Sequence, residues 1–156
     1  MGLDMYLYAE KYVSGTDFFN ESDPTTYLQL ESAVGAQGFK PEHDSPSATV
    51  SIKVAQWRKA NQIHQWFVDN TQEGEDNCAR YYVTREKITE LRDLCQQVLA
   101  DHSKAEELLP VSEGFFFGHY DYDDWYFGQL KETNTNLTRV LSNVPEKWDF
   151  YYQSSW

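Results

Sequence analysis

Cysteines and long apolar runs are scarce in this chain of 156 residues. It has only two cysteines, Cys78 and Cys95, and no Cys-x-x-Cys pair, so neither a disulfide framework nor a cysteine-based zinc site is expected. No apolar run approaches membrane-spanning length, and the first residues lack the basic and apolar regions of a secretory signal. These absences predict a reduced, soluble protein of the cytoplasm that does not act at a membrane.

Basic residues are also few, because 13 Lys and Arg face 25 Asp and Glu, a formal charge of -12. Residues 1–80 and residues 81–156 each carry -6, so the sequence has neither an acidic tail nor a basic domain. Nucleic acids are bound through cations that neutralise phosphates, and we therefore predict no direct nucleic-acid binding. The acidity either maintains solubility or directs the protein to the basic surface of a partner.

Sequence motifs of catalysis are missing. We find no glycine loop for phosphate, no nucleophile elbow and no His-Glu-x-x-His. A calcium loop starting at Asp121 would place Glu132 at its twelfth position, but Tyr126 stands where the sharp turn needs glycine. No catalytic residue, metal site or cofactor is therefore predicted, and an enzyme is the last of three functional hypotheses.

Aromatic residues make up 16% of the chain, and the apolar pattern predicts an α+β fold. Apolar residues alternate in four predicted strands and recur at helical spacing in three predicted helices. The strands cover residues 3–10, 48–54, 81–83 and 148–153, and the helices cover residues 54–70, 85–99 and 122–144. Thr84 is the expected N-cap of the second of these helices. We predict one domain in which three main helices pack on a small, mostly antiparallel sheet.

Two further segments complete the predicted fold. Residues 14–47, rich in Gly, Pro, Ser and Asp, form a long irregular excursion with one helical turn near residues 25–33, capped by Asp23 and Pro24. Residues 115–117, three phenylalanines between glycines, are predicted to form a buried strand. A loop as long as the excursion is usually functional or mobile.

The predicted helix 54–70 contains a candidate ligand site. On a helical wheel, His64 falls within the apolar arc and Trp66 falls among the polar residues. His64 is either a core imidazole hydrogen-bonded to backbone or carboxylate, or the edge of a pocket in which Trp66 stacks on a ligand. The candidate residues for such a nucleotide-like ligand are Arg58, Lys59, Asn61, His64 and Trp66.

The start of the last predicted helix is the candidate partner surface. Residues 119–127 combine carboxylates with Tyr and Trp, the aromatic residues that are enriched in protein interfaces. The acids also suit a helix N-terminus, where Asp121 or Asp123 is the expected cap. The partner-binding candidates are Tyr120, Asp121, Asp123, Asp124 and Trp125.

The segments MGLDMYL, WRKANQIHQWFV, AEELLPVSEGFFFG and WDFYYQSSW together resemble a family of small acidic proteins of bacteriophages and prophages, which has no assigned activity. Members often have Tyr in place of Gln56 and a small hydroxyl residue in place of His119, which weakens any metal role for His119. The resemblance implies a phage protein in a bacterial cytoplasm. By association it also implies a protein that inhibits or modulates a host factor, such as an antiviral defence protein, through binding.

Overall fold

The computed structural model describes residues 2–38, 45–114 and 121–156 and confirms the α+β class. Its described residues contain five α-helices, one short 3-10 helix and four strands. In chain order these are β1 (Asp4–Ser14), α1 (Asp23–Val34), β2 (Ser47–Arg58), α2 (Asn61–Thr71), β3 (Arg80–Val83), α3 (Arg85–Ala100), the 3-10 turn His102–Lys104, α4 (Ala105–Leu108), α5 (Asp124–Asn143) and β4 (Asp149–Ser155).

The four strands form one antiparallel sheet in the order β2-β1-β4-β3. β3 pairs antiparallel with β4, with Tyr82 opposite Tyr151 and Val83 opposite Phe150. Val83 and Phe150 are buried, whereas the Tyr82–Tyr151 pair lies on the other face of the sheet. The predicted alternation in β1 is confirmed, because Met5, Leu7 and Ala9, together with Leu3 just before the strand, belong to the hydrophobic core.

The junction between β2 and α2 differs from the predicted helix 54–70. β2 continues to Arg58, and its residues Ala55 and Trp57 are buried in strand alternation. Lys59 has a positive φ of 56°, which turns the chain before α2 begins at Asn61. The prediction was wrong for residues 54–60, because a buried Trp57 fits the inner face of a strand as well as that of a helix.

The caps and apolar stripes of α3 and α5 are as predicted. The Thr84 hydroxyl accepts a hydrogen bond from the Lys87 amide, and the Asp123 carboxylate accepts from the Trp125 and Tyr126 amides. One face of each helix is buried in the core: Ile88, Leu91, Cys95 and Val98 on α3, and Tyr126, Leu130, Thr133, Leu137 and Val140 on α5. These two helices provide much of the layer that covers the sheet.

The predicted count of three main helices is not matched, because α1, with 12 residues, adds a helix as long as α2, which has 11. The excursion 14–47 is therefore only partly irregular. α1 begins after Ser22 with proline in its first turn, and Ser22 makes no side-chain capping bond. Only Asp23 and Tyr27 of α1 are buried, so the helix carries too weak an apolar stripe for its full length to be read from the sequence.

The chain divides into two compact units. The large unit comprises Met1–Ala9 and Lys53–Trp156, and the small unit comprises Glu10–Ile52. The small unit holds the end of β1, all of α1 and the start of β2, and the Gly15 amide donates a hydrogen bond to the Pro46 carbonyl. The predicted strand 115–117, together with His119 and Tyr120, lies outside the described residues.

The turn at Lys59 gives a direct test of the strand–turn–helix arrangement. A positive φ disfavours residues with a Cβ by about 1–2 kcal/mol, and glycine does not pay this penalty. We expect Lys59→Gly to raise the free energy of unfolding by up to about 1 kcal/mol in urea denaturation.

Lys131 is the matched control, since it is an exposed lysine inside α5. Lys131→Gly should lower the free energy of unfolding by about 1 kcal/mol, as glycine does in a helix interior. An equal destabilisation by both substitutions would contradict the left-handed turn at Lys59.

Candidate functional site

The start of α5 presents an aromatic side chain between exposed acids. Trp125, in the first turn, is 53% exposed, and both Asp121 and Asp124 are exposed. Asp123 has a different role, because one of its oxygens accepts from the Trp125 amide at 3.0 Å and from the Tyr126 amide at 3.1 Å. Three of the five predicted partner residues therefore face solvent, while Asp123 caps the helix and Tyr120 lies outside the described residues.

Tyr126 fixes this surface to the core. Its ring is 2% exposed, and its hydroxyl donates to the Leu109 carbonyl at 2.7 Å. Burial raises the pKa of Tyr126, so the hydroxyl stays protonated and remains a donor. Tyr122 packs edge-on against Tyr126, with ring centroids 5.0 Å apart, and its hydroxyl accepts from the Val111 amide at 3.4 Å. The first turn of α5 is consequently held in place by contacts within the protein. A surface ordered in this way would lose little conformational entropy in a complex.

The five predicted ligand residues differ in their exposure to solvent. Arg58 and Lys59 are exposed, and the Arg58 guanidinium lies 3.7 Å from the Asp4 carboxylate. Asn61 is buried, and its side-chain oxygen accepts from the Ser112 amide at 3.0 Å. His64 is also buried, so the residues are divided between surface and interior. Nucleotide binding stays a prediction that this arrangement does not favour.

Trp66 was predicted to point outward, and this is wrong. Only 6% of the residue is exposed, and its ring packs edge-on against Phe67 at 5.3 Å. Lys87 of α3 lies over the ring, with its ammonium 5.9 Å from the centroid. Seven of the eleven residues of α2 are buried, including the polar Asn61, Gln62 and His64. The wheel of one helix could therefore not show that α3 covers Trp66.

His64 is the buried centre of a polar cluster that reaches the surface at Asp76 and connects distant parts of the large unit. Its Nδ1 lies 2.7 Å from the Tyr152 hydroxyl, and its Nε2 lies 3.0 Å from Oδ1 of Asp76. Because an ionised carboxylate only accepts, Nε2 of the neutral imidazole carries the proton and Nδ1 accepts from the Tyr152 hydroxyl. Trp156 donates its indole N–H to the same Asp76 oxygen at 3.2 Å. The interpretation of His64 as a core imidazole bonded to a carboxylate is confirmed.

The hydroxyl–imidazole–carboxylate order of this cluster is that of a catalytic triad, but its environment opposes that chemistry. His64 and Tyr152 are both 0% exposed, so a substrate in solvent does not reach them. Burial raises the pKa of Tyr152 well above its usual value, which disfavours the phenolate nucleophile. The cluster instead joins α2, β4 and the loop after α2. The separation of 88 residues between His64 and Tyr152 hides it from local sequence patterns.

The described residues contain neither a cluster of metal-ligating side chains nor a membrane-spanning helix. Within residues 2–38, 45–114 and 121–156, no group of three or more His, Cys, Asp or Glu could hold a metal ion. In those same ranges no helix combines the length and the apolar character needed to cross a bilayer.

Comparison with protein families, curated proteins and solved structures finds no match to this chain.

The His64 cluster predicts how stability depends on pH. Burial lowers the pKa of His64 below its usual value of 6.5, although the neighbouring Asp76 carboxylate opposes this shift. The unfolded state therefore binds a proton at higher pH than the folded state does. We expect the stability that His64 contributes to be complete above the unfolded pKa and to be lost as the pH falls from 6.5 towards the folded pKa. Urea denaturation between pH 7.5 and pH 5 measures this loss.

His102 supplies the control, since it is exposed and stacks on Phe127 at 3.7 Å. His64→Asn should lower the free energy of unfolding at pH 7.5 and make it less dependent on pH. The His102→Asn variant should still lose stability on acidification, as the wild type does. A wild-type protein whose stability stays constant or rises on acidification would refute this account.

Proposed function

We propose that this chain is a small acidic binding protein that acts on another protein by contact, with the start of α5 as its contact surface. The observation that carries this proposal is the 53% exposed Trp125, held in the first turn of a rigid helix beside two exposed carboxylates. Tryptophan at such a position supplies a large contact area with few torsions to freeze.

Charge indicates the kind of partner. With a net charge of -12, the protein is attracted to a basic surface, and Asp121 and Asp124 place part of that charge beside the aromatic anchor. Burying one tryptophan in a partner's pocket then provides a large share of the affinity. The resemblance to phage and prophage proteins suggests that the partner is a host protein, such as a defence component, and that the result of binding is inhibition or modulation.

Substitutions at the start of α5 test this proposal. The purified full chain is immobilised, and proteins from a bacterial host lysate are captured and quantified by mass spectrometry. We expect Trp125→Ala to weaken capture of a specific host protein by about 2 kcal/mol or more, which is roughly 30-fold in affinity. Asp124→Lys should slow association, and the difference from wild type should shrink at high ionic strength.

Glu132→Lys is the matched control, because Glu132 is an exposed acid further along the same helix. It makes the same change in net charge away from Trp125 and should leave capture nearly unchanged. Thermal melting checks that all three variants are folded. Capture that is equal for wild type and Trp125→Ala at low ionic strength would reject this surface.

A further inference from the structure

The small unit, Glu10–Ile52, exposes apolar side chains out of proportion to its size. Among the described residues, ten large hydrophobic side chains are exposed, and six of them belong to this unit: Tyr12, Phe18, Phe19, Leu28, Val34 and Ile52. Of the 26 buried hydrophobic residues, only Val13 and Tyr27 belong to it. The described part of the small unit therefore leaves more large apolar side chains in water than it buries, which is unusual outside interaction surfaces.

Phe18 and Phe19 are the most prominent of these residues. They are 83% and 72% exposed and lie in the connection between β1 and α1. Their rings meet edge-to-face with centroids 5.0 Å apart, and Tyr12 meets Phe19 in the same way at 6.2 Å. Because these contacts restrict the rings, the three residues form an ordered aromatic ridge, and binding would cost little further side-chain entropy.

Burial of the ridge against another molecule would be energetically favourable. Fully burying one phenylalanine contributes about 1.5–3 kcal/mol, and residues exposed by 83% and 72% obtain little of that within the chain. Burial of the aromatic ridge by a partner would therefore contribute about as much binding free energy as a few anchor residues do in a protein interface.

The small unit also contains an apolar groove between α1 and the start of β2. The groove has a volume of about 450 Å³ and is lined by Tyr27, Leu30 and Val34 from the helix and by Ala48 and Val50 from the strand. Glu31 lies in its wall and accepts a hydrogen bond from the Tyr27 hydroxyl at 2.9 Å. Apolar walls with one carboxylate fit an apolar side chain that has a basic neighbour.

The charge of the small unit indicates which kind of partner its exposed apolar side chains fit: a lipid surface, a second copy of the chain or another protein. The small unit carries seven acidic and two basic residues, a formal charge of -5. Asp17 and Glu21, on either side of the phenylalanine pair, are both exposed. Anionic lipid surfaces repel such a segment, and a second copy would bring like charges together. A basic protein surface is attracted to it.

We propose that Glu10–Ile52 is a second docking module, in which the Phe18–Phe19 pair inserts into an apolar, basic-rimmed pocket of another protein. This surface is separate from the start of α5, and either one can fail without the other. Asp17 and Glu21 pair with the basic rim, and the two rings supply the apolar contact.

Photo-crosslinking of the full chain tests the module. p-Benzoyl-phenylalanine replaces Phe18 in bacterial cells that produce the protein, and crosslinked products are identified by mass spectrometry. Tyr82, which is 53% exposed in the large unit, is the control position for the same probe. The charge variant is Asp17→Lys with Glu21→Lys, and its matched control is Asp69→Lys with Glu73→Lys, two exposed acids of the large unit.

The proposal requires a crosslink from position 18 to a different protein, at a site that combines apolar residues with Lys or Arg. Its yield should fall at least tenfold in the Asp17/Glu21 variant and stay unchanged in the Asp69/Glu73 variant. Crosslinks to lipid or to a second copy would overturn the proposal, as would a yield insensitive to Asp17 and Glu21 or no greater than that at position 82. The Trp125→Ala substitution in the same cells shows whether the two surfaces act independently.

Discussion

The core of the large unit depends on the contact between α2 and β4. The rings of Phe67 and Tyr152 stack with centroids 3.9 Å apart and planes within 9°, and both residues are fully buried. Phe67 also meets the ring of Trp57 at 6.0 Å and so connects the last strand of the chain to β2. The neighbouring His64 joins the Tyr152 hydroxyl to Asp76, which fixes the loop after α2 against the same strand.

The burial of α2 also explains why Asn61 and His64, two residues of the predicted ligand site, belong to the interior. Asn61 and His64 satisfy hydrogen bonds within the core, where an unpaired polar group would cost about 1–3 kcal/mol. Chemistry with a solvent substrate needs accessible groups, and these two residues are not accessible. The candidate binding features that we propose are on the surface instead, and they consist of aromatic rings beside acids.

The two surfaces differ in how they are prepared for a partner. At the start of α5, Trp125 follows a capped helix terminus that Tyr126 ties to Leu109, so its presentation depends on the core. In the small unit, Phe18 and Phe19 depend mainly on each other and on Tyr12.

The sequence by itself determined the α+β class, the inner face of β1 and the cap Thr84, and it narrowed the cap of α5 to Asp121 or Asp123, since alternation, periodicity and capping are local patterns. Only the tertiary structure decided that β2 continues to Arg58, that α3 covers Trp66 and that α1 is a full helix. It also decided the partners of His64, because Tyr152 is 88 positions away. The physical reason is the same in each case: burial depends on what packs against a residue, and a helical wheel or strand pattern describes only one element.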